Sequence, residues 1–149
     1  MTAEAELGLL VDRECRGIDK SEVGSVVAGY LPDMTAGDIL QRNSRFLTRA
    51  KSFDTFLVPG PIITVPGNGF NLTDLTVRTE VNGDVEAENE IANMLFPPTE
   101  IAAFHSDVTT LQPGDLFLTG TPGAAPIESG NAVRAFVELI GSTEALVTR

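Results

Sequence analysis

The sequence predicts a single α+β domain made mostly of short β-strands with a few short helices. Three observations carry that expectation. The chain has 149 residues, room for one domain of ordinary size. Its 14 Gly and 9 Pro favour tight connections over a helix bundle. Its clearest local pattern, Leu-Thr-Val-Arg-Thr-Glu-Val over 75–81, alternates at the strand period and runs into Asn82-Gly83, a strong hairpin signal.

Taken in order, Glu4–Val11 reads as a first strand, apolar after Glu6 and closed by Asp12-Arg13-Glu14. Ser21 is a candidate cap for a short helix through Val27, with Glu22 suited to its positive end and Gly29 as its stop. An irregular turn holding Asp33 follows, and a second short helix fits Thr35–Asn43. Pro59-Gly60-Pro61 breaks the chain before a short strand at 62–65. After the hairpin, Pro97-Pro98-Thr99 opens a helix carrying Ile101, Ala102, Ala103 and Phe104, with an apolar face that reads as core. Gln112-Pro113-Gly114-Asp115 is a turn before a strand at Leu116–Thr119, and strands at Ala132–Ile140 and Ala145–Thr148 close the chain.

The net charge of -11 argues against nucleic acid and anionic membranes as partners. Only Lys20 and Lys51 are lysines, the other eight cationic side chains being arginines. An acid-rich, lysine-poor surface fits either a high-salt setting or an ordinary acidic cytosolic protein. Cys15 stands alone, without a disulfide partner or a nearby histidine motif, and reads as structural. The acidic N-terminus lacks a signal-peptide pattern and no apolar run has membrane-spanning length, so a soluble, cytoplasmic chain is expected. On that ground Asn71-Leu72-Thr73 is discounted as a glycosylation acceptor.

The chemistry-bearing residues are carboxylates. In a strand, Glu4 and Glu6 point to one face, roughly 7 Å apart, with Ala5 facing away. Two such groups repel unless a cation joins them, and hard oxygens suit Mg²⁺, Mn²⁺ or Ca²⁺ better than Zn²⁺. A Glu-x-Glu pair in an acidic chain is also readily a solvated face. Asp33, in Gly-Tyr-Leu-Pro-Asp-Met-Thr-Ala, is a further candidate ligand. Lys51, in Arg-Ala-Lys-Ser-Phe-Asp-Thr-Phe, is a compact charge able to meet a carboxylate.

The ordered set Glu-Ala-Glu-Leu at 4–7, Gly29-Tyr30, Asp33-Met-Thr-Ala-Gly-Asp38, Lys51-Ser-Phe-Asp-Thr55, Gly60-Pro61, Asn82-Gly83, Leu111-Gln-Pro-Gly-Asp115 and Thr119-Gly-Thr-Pro122 resembles the fumarylacetoacetate hydrolase family. The likeness covers almost the whole chain and the second part of a typical member. It implies a mixed β-sandwich roll with short flanking helices, usually in a homodimer. It also implies Mg²⁺ (or Mn²⁺) held by Glu4, Glu6 and Asp33, with Lys51 and Thr121 contacting a small 2-oxo or β-diketo acid. C–C hydrolysis, decarboxylation, hydration and isomerisation all occur in that family.

Three departures from the family pattern stand out. Gly37 replaces its usual Arg, Gln41 follows Asp38 by three residues instead of two, and the family's water-activating His and Glu lie upstream of the Glu-x-Glu strand. His105, in Ala-Ala-Phe-His-Ser, is the only histidine and reads as structural or surface. The resemblance therefore ranks a metal-dependent C–C hydrolase first. The residue inventory ranks an oxaloacetate-type decarboxylase or keto–enol isomerase second, since neither needs an activated water. A truncated, non-catalytic or partner-dependent half of a family member is the third reading.

Overall fold

A computed structural model describes residues 1–36, 48, 51–61, 63–65, 67 and 70–148, without the side chains of 33–36. Two antiparallel sheets pack face to face. The first runs β2 (Val27–Ala36), β1 (Thr2–Val11), β5 (Leu116–Leu118), with β6 (Ala125–Pro126) also on β1. The second runs β4 (Asp84–Glu90), β3 (Thr76–Val81), β7 (Ala132–Val137), β8 (Gly141–Leu146). Every pairing between these strands is antiparallel. The expected mostly-β, α+β sandwich is what forms, with the α-helix α1 (Pro98–Val108) and short 3₁₀ turns beside the sheets.

The core lies between the sheets. Ala3, Ala5, Leu7 and Leu9 of β1 meet Val77 and Val81 of β3 and Val133, Ala135 and Val137 of β7 in one buried cluster. Each of these strands turns alternate residues inward, all apolar in β7 and all but Thr79 in β3, so burial of one face fixes its register. Asn82 and Gly83 both take positive φ (54° and 93°), the geometry of a tight turn that matches strand twist, and they join β3 to β4 as expected. Pro98 opens α1, which buries Ala102 and Ser106. Phe104 and His105 lie on its exposed side, which corrects the expectation that Phe104 belongs to a core-facing stripe.

The segment from Ser21 to Ala36 departs most from expectation. Only a 3₁₀ turn forms, over Val23–Ser25, and Ser21 does not cap it. Its amide and hydroxyl instead both donate to Asp19, while the Asp19 amide donates to Glu22. Residues 27–36 are not a turn but the edge strand β2, paired with β1 from Val11↔Val27 to Ala3↔Ala36. Pro32 is tolerated because β2 lies at the edge of its sheet. Thr35, the expected helix cap, stands opposite Glu4 in this ladder, and the rest of that helix, 37–43, lies outside the described residues. Along the outer edge of β2, Tyr30 and Thr64 exchange backbone hydrogen bonds and the Gly60 amide donates to the Pro32 carbonyl. Of the strand expected at 62–65, the described residues 63–65 form a single bridge at Thr64.

The last strands also divide differently. β7 stops at Val137, Leu139 turns the chain with φ 59°, and β8 begins at Gly141. Leucine carries no turn signature, so Gly141, at φ 138°, is the one turn residue the sequence offers here. The two-residue β6 is too short to give a period. No helix among the described residues is long and apolar enough to cross a membrane.

Candidate functional site

β1 supplies both the core and the candidate site, on opposite faces. Ala3, Ala5, Leu7 and Leu9 point inward, which turns Glu4 and Glu6 together to the other side. Glu6 is only 2% exposed, and burial of a carboxylate is costly unless its oxygens are met. Both are. Lys51 Nζ stands 3.2 Å from Glu6 Oε1, and the Gly120 amide donates to Glu6 Oε2 at 2.7 Å. The same Nζ lies 3.2 Å from Glu4 Oε2, so one cationic atom bridges both glutamates.

Burial by itself would lower the Lys51 pKa. The Glu6 charge and the hydrogen bonds and charge of Glu4 outweigh it, holding the ammonium above its ordinary value.

The Gly120 contact follows from how β5 leaves β1. β5 pairs with β1 only over Gly8–Leu10, and then the Thr119 amide and hydroxyl both donate to the Leu7 carbonyl at 3.1 Å. Gly120 takes φ +107°, a conformation side chains resist, and this turns its amide onto Glu6. The chain returns to β1 at β6, which covers Thr2 and Ala3. Between these two contacts that edge of β1 has no strand beside it, and the Ala5 amide donates to the buried Thr79 hydroxyl of the second sheet, at 3.0 Å.

Asp33, the third expected ligand, sits in β2 directly opposite Glu6 in the register. Directly opposed residues in antiparallel strands have Cα atoms roughly 4.5–5.5 Å apart. Its side chain is not among those described, and among the described residues no third His, Cys, Asp or Glu joins the glutamates. Thr121 follows Gly120 and lines a cleft of about 330 Å³ with Asn89, Asn93, Met94 and Phe96. Its hydroxyl donates to the Gly123 carbonyl and accepts from the Gly123 amide. The structure thus brings Glu4, Glu6 and Lys51 into direct contact and attaches Thr121 to them through its neighbour. His105 is exposed, its ring beside Phe104 and Phe117.

Gly120 and Thr79 are not among the site residues expected from the sequence. Gly120 lies inside Thr119-Gly-Thr-Pro122, but an amide has no residue signature. Thr79 did carry a signal, being a polar residue at an inward position of an alternating strand between Val77 and Val81.

Two carboxylates that share one cationic atom, one of them buried and oriented by a backbone amide, form a hard-oxygen set suited to a divalent ion. Residues 1–148 match the family model described as the fumarylacetoacetate (FAA) hydrolase C-terminal. The chain belongs to the fumarylacetoacetate hydrolase family. An uncharacterised family relative from Methanocaldococcus jannaschii is 37% identical over 141 residues, 93% of this chain and 58% of that protein.

Among solved structures of the family, a 5-carboxymethyl-2-hydroxymuconate delta-isomerase from Mycobacterium smegmatis superposes with a TM-score of 0.91 at 33% identity. It covers 99% of this chain and 59% of its own length is matched. Maleylpyruvate hydrolase from Sphingobium, in complex with manganese(II) and pyruvate, superposes at 0.85 with 29% identity, over 99% of this chain and 54% of that one. The chain therefore spans a little over half the length of these relatives. Named relatives in the family are enzymes and include a hydrolase, a tautomerase and a bifunctional isomerase/decarboxylase.

Proposed function

We propose that this chain is the divalent-metal catalytic domain of an enzyme that cleaves a C–C bond in a small 2-oxo or β-diketo acid by hydrolysis. The observation that carries the reading is the convergence of Glu4 and Glu6 on one cationic atom in a family whose maleylpyruvate hydrolase holds manganese and pyruvate together. Glu4, Glu6 and Asp33 would hold Mg²⁺ or Mn²⁺. When bound, such an ion supplies a Lewis acid that polarises the oxygens of a 2-oxo acid.

The chain's own residues then have distinct tasks. The Gly120 amide fixes Glu6 Oε2, so one carboxylate oxygen is oriented before any ligand arrives. Lys51, kept charged by its two carboxylates, supplies positive charge next to oxygens that become more negative as the bond breaks. Thr121 offers its hydroxyl to a substrate carboxylate by giving up its bond to the Gly123 carbonyl.

A second reading, decarboxylation or keto–enol isomerisation at the same residues, is favoured by relatives named as an isomerase and as a bifunctional isomerase/decarboxylase. A homodimer in the cytoplasm belongs to the same proposal, and sedimentation velocity tests the dimer.

Calorimetric titration with MnCl₂ and MgCl₂, with Asp33→Ala and Glu6→Gln alongside, tests the metal reading. Saturable binding in the wild type, lost in both variants, is expected, and no metal-dependent heat in the wild type overturns it. Product analysis after incubation with oxaloacetate and with an acylpyruvate separates the reactions. Acylpyruvate cleavage supports the hydrolase, whereas CO₂ release or enol equilibration alone supports the second reading.

A further inference from the structure

We infer that Thr79 is a positioning residue for the metal site, acting through the backbone of the residue between the two glutamates; the inference rests on the metal reading above. β1 has a strand neighbour at Thr2–Ala3, from β6, and at Gly8–Leu10, from β5, and none on that edge in between. The uncovered stretch contains Glu4 and Glu6. Two side-chain hydroxyls close the gap. Thr119 caps the Leu7 carbonyl at one end, and Thr79 meets the Ala5 amide at the other.

The two hydroxyls differ in origin. Thr119 continues β5 in the same sheet, whereas Thr79 reaches across from β3 in the opposing sheet, with no measurable exposure. Ala5 is equally buried, so water cannot replace the bond. Thr79 therefore ties the midpoint of the Glu-x-Glu segment to a rigid four-stranded sheet. Rotation of the Ala5 peptide would tilt both carboxylates at once. A valine matches threonine in shape but offers no acceptor, and it leaves the buried Ala5 amide unmet.

The experiment pairs metal titration with amide hydrogen exchange on Thr79→Val, Thr79→Ser and Val81→Ala. Val81 is buried on the same strand and serves as a control for general destabilisation. Thr79→Val is expected to weaken Mn²⁺ binding about tenfold, the lower end for partners around a metal site. Thr79→Ser is expected to bind within about threefold of the wild type and Val81→Ala to bind unchanged.

In the metal-free protein, Ala5 should lose protection relative to Leu9 only in the valine variant. Thr79→Cys, with a weak acceptor of similar size, supplies the same comparison if the valine variant does not fold. Wild-type Mn²⁺ affinity in Thr79→Val, or equal losses in Thr79→Val and Val81→Ala, overturns the role. If the wild type binds no Mn²⁺, the metal reading fails. Unchanged Ala5 protection in the valine variant then overturns the tie separately, and selective loss supports it.

Discussion

Lys51 and Glu6 form an ion pair at 3.2 Å in which the lysine side chain keeps 31% of its exposure and the glutamate only 3%. The asymmetry matters for what each removal does. Without Lys51, Glu6 stays buried beside Glu4 with the Gly120 amide as its remaining described partner. Lys51→Met is therefore expected to destabilise the metal-free protein by about 1–3 kcal/mol, less than a fully buried pair because the lysine is partly solvated. Urea denaturation measures it. Millimolar Mn²⁺ should restore more stability to Lys51→Met than to the wild type.

The same pair sets a pH dependence. Lys51 has a folded pKa above its unfolded value, so its contribution to stability is complete below about pH 10.4 and disappears as pH rises through the folded value. Tyr30, whose pKa is raised by burial, titrates in the same direction at alkaline pH. Melting curves of metal-free wild type and Lys51→Met between pH 8 and 12 separate the two, since Tyr30 is common to both. The gap between the curves should close above about pH 10.5, and a constant gap would refute the assignment.

Gly29 lies where β2 receives the 63–64 segment. A Cβ there would stand 2.5 Å from Ile63 Cγ2 and 2.8 Å from the Thr64 carbonyl oxygen. Gly29→Ala must push that segment off β2 and strain the Tyr30–Thr64 bridge, at an expected cost of about 1–3 kcal/mol. Gly24→Ala, with open space around its Cβ position, is the comparison that should stay within about 1 kcal/mol by the same denaturation assay.

Burial raises the Cys15 thiol above its ordinary pKa, leaving little thiolate near neutrality. Alkylation by iodoacetamide at pH 7.5 is expected to run slower than for a free cysteine model peptide. Mass spectrometry follows the rate, and reaction as fast as the peptide would mean an activated thiol.

How much of this was legible depended on periodicity. The core face of β1, the β3–β4 hairpin and the start of α1 all follow from alternation, Asn-Gly and Pro, which act over a few residues. β2 escaped because Gly29 and Pro32 read as punctuation. Only the pairing of that segment with β1, many residues away, overrides them. Asp33 goes with β2, expected in a turn and found in a strand opposite Glu6 in the register. Within the site, Glu4, Glu6 and Lys51 are visible as residue types. The Gly120 amide and the Thr79 tie are not, because one is backbone and the other depends on sheet stacking.

The two faces of β1 have a consequence for how such a protein can change. A single-residue slip of this strand would drive Glu4 and Glu6 into the hydrophobic interior and expel Ala5 and Leu7 from it. Insertion or deletion within residues 4–9 would thus disturb the core and the carboxylate pair together. A length change along this strand is therefore costlier to inherit than one in a loop, where no register is at stake.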